Sequence, residues 1–349
     1  MLLQKQIWLF IAGLFMFSHA IAHHSRSAFN LDDTIILEGN VTEVAWTNPH
    51  YYLSLQVDHH SGPKEWVFEG HSIPGLVRYG WRKDSIQVGQ RVSVVAHPNV
   101  NDAVNFGLLT SVRRADGEVF YSFRKKDTQR ERKPTPATDF SGIWRVDRSL
   151  RDNLVGGFGP PTDWPLTSAA KAELAMYSPN DDPSLRCEPR GLPRMLSWPY
   201  AQRWQRDNFG ILIEREHSQE GRRIFEQTAE NHDDGKKHLT NPDESSVSGY
   251  SQGQRLENGT YKIVTTNFKA TKWGADRGIS SSELKQLVEY YTLGADGLSM
   301  QLTFTLADPK VLIAPIQGRL SYTKVADYDF AGEPPCDVDT AQRHLMFED

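Results

Sequence analysis

The sequence predicts an all-β chain in two domains, an OB-like small barrel followed by a larger antiparallel barrel or sandwich, with one or two short helices. Three observations carry this expectation. Runs of β-branched and aromatic residues with partial alternation recur between Gly, Asn, Asp and Pro turns. In the first third, three such runs, one short helical piece and two or three further runs follow in the order of a small Greek-key barrel. After residue 139 helical periodicity is scarce and strand-like runs continue to near the C-terminus.

The N-terminal segment reads as an export signal. Lys5 precedes an apolar run, Ile7 to Phe17, that is too short to span a bilayer, which takes about 20 apolar residues. Ala20 and Ala22 stand where a signal peptidase requires small side chains. Cleavage after Ala22 leaves a periplasmic or secreted chain that begins at His23, with no stable membrane anchor.

The first domain is expected over residues 23–123. Strand signals lie at 34–46, 51–57 and 64–69, with Gly39 marking a bulge or bend in the first. "IPGLVRYG" (73–80) is a short helix with Pro74 tolerated at its start. A strand at 89–98 and a hairpin about Asp116-Gly117 complete the set. An immunoglobulin-like sandwich offers no natural place for the helix.

Residues 124–138 are densely charged, then rich in Pro and Thr. They lack apolar periodicity and read as a linker. The second domain spans 139–349. Strands are expected at 209–216, 222–228, 260–268, 284–293, 298–307 and 318–325, and one capped helix at 166–177. "SGYSQGQ" (248–254) reads as a turn. Gly142-x-Trp144 resembles the opening of lipocalin-type barrels, in which the Trp closes the barrel floor and the Gly lets the chain bend. The resemblance implies a lipocalin-like barrel.

The net charge of −5 supplies no basic surface, so a nucleic-acid partner is not expected. Cys187 and Cys336 are the two cysteines. An oxidising compartment allows them to join as one disulfide, and both lie in polar, Pro-rich stretches. Separate thiols are the alternative.

Several motifs agree in order with one family. "HHS", "LEGNVTEVAWTNPHYYLSLQV", "WVFEGHS", "GWRKDSIQVGQRVSVVAHP" and "LLTSVRRADGEV" together resemble the exported bacterial family called domain of unknown function 6152, over residues 23–123. "DPSLRCEPRGLPR" (182–194) resembles a second uncharacterised exported domain, whose relatives carry a His before a later Ser-Glu. This chain has Ser281-Ser282-Glu283 there. The resemblances imply export and domain boundaries, and no activity.

Histidines concentrate in the first domain. A free N-terminal His23 offers both its amine and its ring, and His50 adds a third nitrogen, a set suited to Cu(II). His24, Glu69 and His71 are the neighbours expected in this candidate metal site. The competing reading makes His23 and His24 a solvated tail and His50 a turn cap. Tyr52 and Trp66 are candidate stacking residues for a saccharide or other small molecule, with core packing as the alternative. In the second domain Trp144 and Glu289 are the candidate ligand-binding residues, because the apolar neighbours of Glu289 favour burial. An inward Glu289 beside Arg215 or Arg223 would instead form a structural ion pair. The chain lacks a serine-nucleophile elbow, a P-loop and a Gly-rich dinucleotide motif. The leading expectation is capture of a small molecule in the second barrel, with a candidate copper site at the mature N-terminus. A periplasmic enzyme and an envelope protein-interaction module are the alternatives.

Overall fold

A computed structural model describes residues 28–123, 133–147, 160–216, 221–226, 245–326 and 336–347. The first domain contains β1 (Ile35–Ala45), β2 (Tyr52–Val57), β3 (Lys64–Glu69), α1 (Ile73–Arg78), β4 (Arg91–Pro98), β5 (Phe106–Arg114) and β6 (Val119–Tyr121). β1 pairs with both β2 and β4, β4 with β5, and a parallel β3–β5 ladder closes the ring. This is the expected OB-like barrel, with α1 between β3 and β4. The bulge in β1 falls between Val41 and Glu43, two residues past Gly39. The core gathers Val41, Leu53, Leu55, Phe68, Leu76, Trp81 and Val94. Each such side chain, fully buried, contributes on the order of 2 kcal/mol.

The second domain is a closed barrel rather than a sandwich. Its nine strands are β7 (Gly142–Val146), β8 (Ala201–Asp207), β9 (Gly210–Arg215), β10 (Arg222–Glu226), β11 (Tyr250–Arg255), β12 (Tyr261–Thr266), β15 (Gln286–Leu293), β16 (Ser299–Ala307) and β17 (Ile316–Lys324). A hairpin of β13 (Thr271–Asp276) and β14 (Ile279–Ser281) lies outside the ring. Neighbours pair antiparallel except β10 and β11, which are parallel, a departure from a regular up-and-down barrel. α2 (Ser168–Leu174) is capped by Thr167, whose hydroxyl accepts from the Ala170 amide at 3.3 Å.

Two strands of the barrel escape sequence reading, as does the β13–β14 hairpin outside it. β8, "AQRWQRD", has no apolar alternation because its inward residues include Gln202 beside Trp204, and its last three residues, Gln205 to Asp207, are polar and exposed. β11 contains the stretch read as a turn. It is a strand whose inward Ser251 and Gly253 are small, and its polar character hides the period.

The middle of the barrel is filled. Met300, Leu302, Phe304 and Leu306 of β16 interleave with Leu320 and Ile316 of β17 and with Leu287 of β15. Gly318 is required opposite Phe304, since a Cβ there would lie 2.2 Å from the ring. Trp144, on β7, belongs to the barrel's buried core. It is fully buried, donates Nε1–H to the Phe140 carbonyl at 2.9 Å, and carries Lys324 Nζ 5.0 Å above its ring. Gly142 takes φ 119°, which bends the chain beneath that lysine.

Cys187 and Cys336 form the disulfide. It anchors a C-terminal strap, with α3 (Val338–Gln342), that returns to the first domain. Arg343 grips Glu43 at 2.7 and 3.0 Å, Thr47 meets Thr340 at 3.1 Å, and Phe347 stacks on Phe106 at 4.2 Å. Arg78 of α1 also pairs with Glu216 of the barrel domain. Among the described residues no helix is long and apolar enough to cross a membrane.

Candidate functional site

β2 and β3 place Tyr52 directly opposite Glu69. The Tyr52 hydroxyl donates to Glu69 Oε2 at 3.3 Å, and Glu69 Oε1 lies 3.5 Å from His50 Nδ1. Burial and the Glu69 charge push the Tyr52 hydroxyl well above its ordinary pKa. The strap covers this pair, with the Arg343 guanidinium 5.1 Å over the Tyr52 ring. Glu69 and His50 therefore come together as expected.

His71 does not join them. Its Nδ1 meets Ser72 Oγ at 2.8 Å, and its ring packs against Tyr79 and Phe123. Among the described residues no three His, Cys, Asp or Glu side chains converge to hold a metal. His23 and His24 lie outside the described residues. Tyr52 and Trp66 do not form one stacking face. Tyr52 belongs to the cluster with Phe29 and Phe106, whereas Trp66 packs against the main core of the first barrel. Their odd separation across the β2–β3 ladder sends them to opposite faces. A cavity of about 480 Å³ opens beside Trp46, Trp81 and Arg82, and none of the expected site residues lines it.

The Ser281-Ser282-Glu283 stretch is structural. Ser282 donates from its amide and hydroxyl to Asp308 at 2.7 and 2.6 Å, and Glu283 is an exposed partner of Lys310. Ser281 Oγ accepts from the buried Lys285 Nζ at 3.0 Å.

The barrel interior holds the denser chemistry. Strand parity turns Gln202, Trp204, Arg215, Arg222, Ser251, Thr265, Glu289, Tyr291 and Tyr322 inward. Glu289 is fully buried and pairs with Arg222, whereas Arg223, one residue on, faces outward to Asp207. Arg222 Nη1 donates to Glu289 Oε1 at 2.9 Å and Nη2 to Oε2. Arg222 Nε reaches Ser251 Oγ at 3.1 Å and Nη2 reaches Thr265 Oγ1 at 2.7 Å. The Tyr291 hydroxyl donates to Glu289 Oε1 at 2.8 Å. Burial opposes the charge on Arg222, but Glu289 outweighs burial and the guanidinium stands above its ordinary pKa.

Among the described residues Arg215 has no such hydrogen-bonded partner. It is 7% exposed, and its Nε and Nη2 are buried without a hydrogen bond. Trp204 Nε1, also inside the barrel, is unpartnered as well. Burial, then Arg222, pulls the Arg215 pKa below its ordinary value. The neighbouring Glu216 has the opposite parity and is committed to Arg78 and to the Ala201 amide. Arg215, Arg222 and Glu289 thus leave one buried positive charge in excess. The signal was present in "FGILIERE", where period two puts Arg215 on the same face as Ile211 and Ile213.

No curated protein matches the chain, and no solved structure matches it. The family model that does match covers residues 14–108, most of the first barrel, and its family is described as one of unknown function, DUF6152.

Proposed function

We propose that this chain is an exported binding protein that captures a small anionic molecule inside its second barrel. The carrying observation is the buried Arg215 guanidinium, two of whose nitrogens have no hydrogen-bond partner among the described residues, while the nearby Glu289 is hydrogen-bonded to Arg222. A buried donor left unpaired costs about 1–3 kcal/mol, and more when it is charged. A ligand carboxylate accepting from Arg215 and Trp204 removes both costs and balances the excess charge. The packed core of the barrel, with Met300, Leu302, Phe304 and Leu306 buried, limits the ligand to a small molecule. The disulfide and the leader-like first residues support export to an oxidising compartment.

The test is calorimetric titration of the purified chain with acetate, butyrate, octanoate and benzoate, alongside Arg215→Met. Saturable binding of at least one carboxylate, weakened tenfold or more in Arg215→Met, is expected. No binding by any of the four, or equal binding by the variant, overturns the reading.

A further inference from the structure

We propose that the 182–198 loop is a second binding site, separate from the barrel interior, that takes an oxyanion at Arg190 and Trp198. The "DPSLRCEPRGLPR" motif builds its frame. The first and last motif residues clamp each other, for Asp182 accepts from Arg194 Nη1 at 3.3 Å and from Nη2. Both residues are buried. Asp182 also accepts from the Ser184 amide at 3.0 Å, which caps the 3-10 turn Pro183–Arg186. Cys187 is tied to the strap, and the Leu192 carbonyl accepts from Lys285 Nζ at 2.8 Å. Four anchors therefore hold seventeen residues of loop, a fixed scaffold of the kind that presents a binding group.

That frame displays Arg190. Its guanidinium lies 3.7 Å over the Trp198 ring, and Nη2 donates to Ser184 Oγ at 2.7 Å. Arg190 Nε and Trp198 Nε1 are both buried donors with no hydrogen-bond partner among the described residues. The stacking sets the Arg190 guanidinium 3.7 Å from the centre of the indole that carries the second donor. Packing of an arginine on an indole would satisfy neither of them.

The surrounding charge favours an anion. Burial first, then Arg194 and Arg277, pull the Arg190 pKa well below its ordinary value, and Asp182 opposes them. Asp182 is already bonded to Arg194, and Asp276 neighbours Arg277 in sequence. Asp182 thus answers two guanidiniums, Arg190 and Arg194, while Arg277 adds a third positive charge acting on Arg190 and the Tyr200 hydroxyl also interacts with it. A phosphate or carboxylate group has the shape to accept from Nε and Nε1 together and to relieve the repulsion among the guanidiniums. Tyr200 bonds Ser72 of the first domain, so the site lies where the two domains meet.

The test follows the indole N–H of Trp198 by NMR on the ¹⁵N-labelled full chain. The resonance is assigned with Trp198→Phe in a buffer free of oxyanions. Inorganic phosphate and acetate are then titrated separately. A saturable shift of the Trp198 indole signal, lost in Arg190→Met and retained in Arg215→Met, is expected. Saturation by phosphate alone identifies a phosphate group as the ligand's anchor, and saturation by acetate alone identifies a carboxylate. A signal that neither anion moves, or that moves equally in Arg190→Met, overturns the site. Retention in Arg215→Met keeps this result independent of the barrel reading.

Discussion

Arg215 and Arg222 point into the same barrel from adjacent strands, yet Glu289 accepts hydrogen bonds from Arg222 and reaches Arg215 only through its charge. The two arginines therefore respond oppositely to removal of a charge.

Glu289→Gln leaves two uncompensated guanidiniums and one broken network in the interior. Breaking a buried pair from one side costs about 3–5 kcal/mol. Urea denaturation should show a loss of that size. A result within about 0.5 kcal/mol of the parent chain would mean that water enters the barrel at this level.

Arg215→Met should leave the ligand-free chain equally stable or more stable, because it removes a buried charge with no partner and keeps the volume. The same denaturation experiment checks it. A loss above about 2 kcal/mol would show that Arg215 is satisfied in the folded chain and would remove the basis for ligand capture.

Lys285 gives a pH-dependent term. Burial lowers its amine to about 7, partly opposed by Asp308. The unfolded chain then holds the proton more tightly than the folded chain between pH 7 and the ordinary lysine value. Stability should rise with pH across that window, by up to about 1.4 kcal/mol per pH unit. Below pH 7 the full cost of burying the ammonium is present. Denaturation midpoints from pH 6 to 9 should climb in the parent and lose this component in Lys285→Met. Parallel profiles would place the folded-state pKa near that of a free lysine.

The disulfide joins residues 149 positions apart. Loop-closure entropy sets its contribution at about 5 kcal/mol, so Cys187→Ser with Cys336→Ser should lower stability by up to that amount. It should also speed amide exchange at Asn48 and Asp337, whose backbones meet beside the bridge. Unchanged exchange there would mean that Arg343, Thr340 and Phe347 hold the strap without the bond.

Much of the architecture was legible in the residues. Order and composition placed the first barrel, its helix, the strands β9, β10, β12, β15, β16 and β17 and the helix that Thr167 caps, because period two and turn chemistry are local properties. β8 and β11 were not legible, because their inward residues are the polar groups of the barrel interior and erase the apolar alternation. Burial of Glu289 was readable from its neighbours, and the same parity argument would have turned Arg215 inward.

Strand parity assigns a side chain to a face of the sheet, and the sequence by itself pointed to burial of Glu289 but named Arg215 or Arg223, not Arg222, as its partner. Which of them meet was decided only by the tertiary structure, through register and closure of the ring. The disulfide follows the same division. Both cysteines were present as candidates, but only the folded chain brings their Cα atoms to 5.8 Å. His50 and Glu69 share that dependence, since the β2–β3 register sets Tyr52 against Glu69 and leaves His71 turned away. A chain encodes its faces locally, whereas contacts between residues far apart in sequence exist only once the sheet has closed.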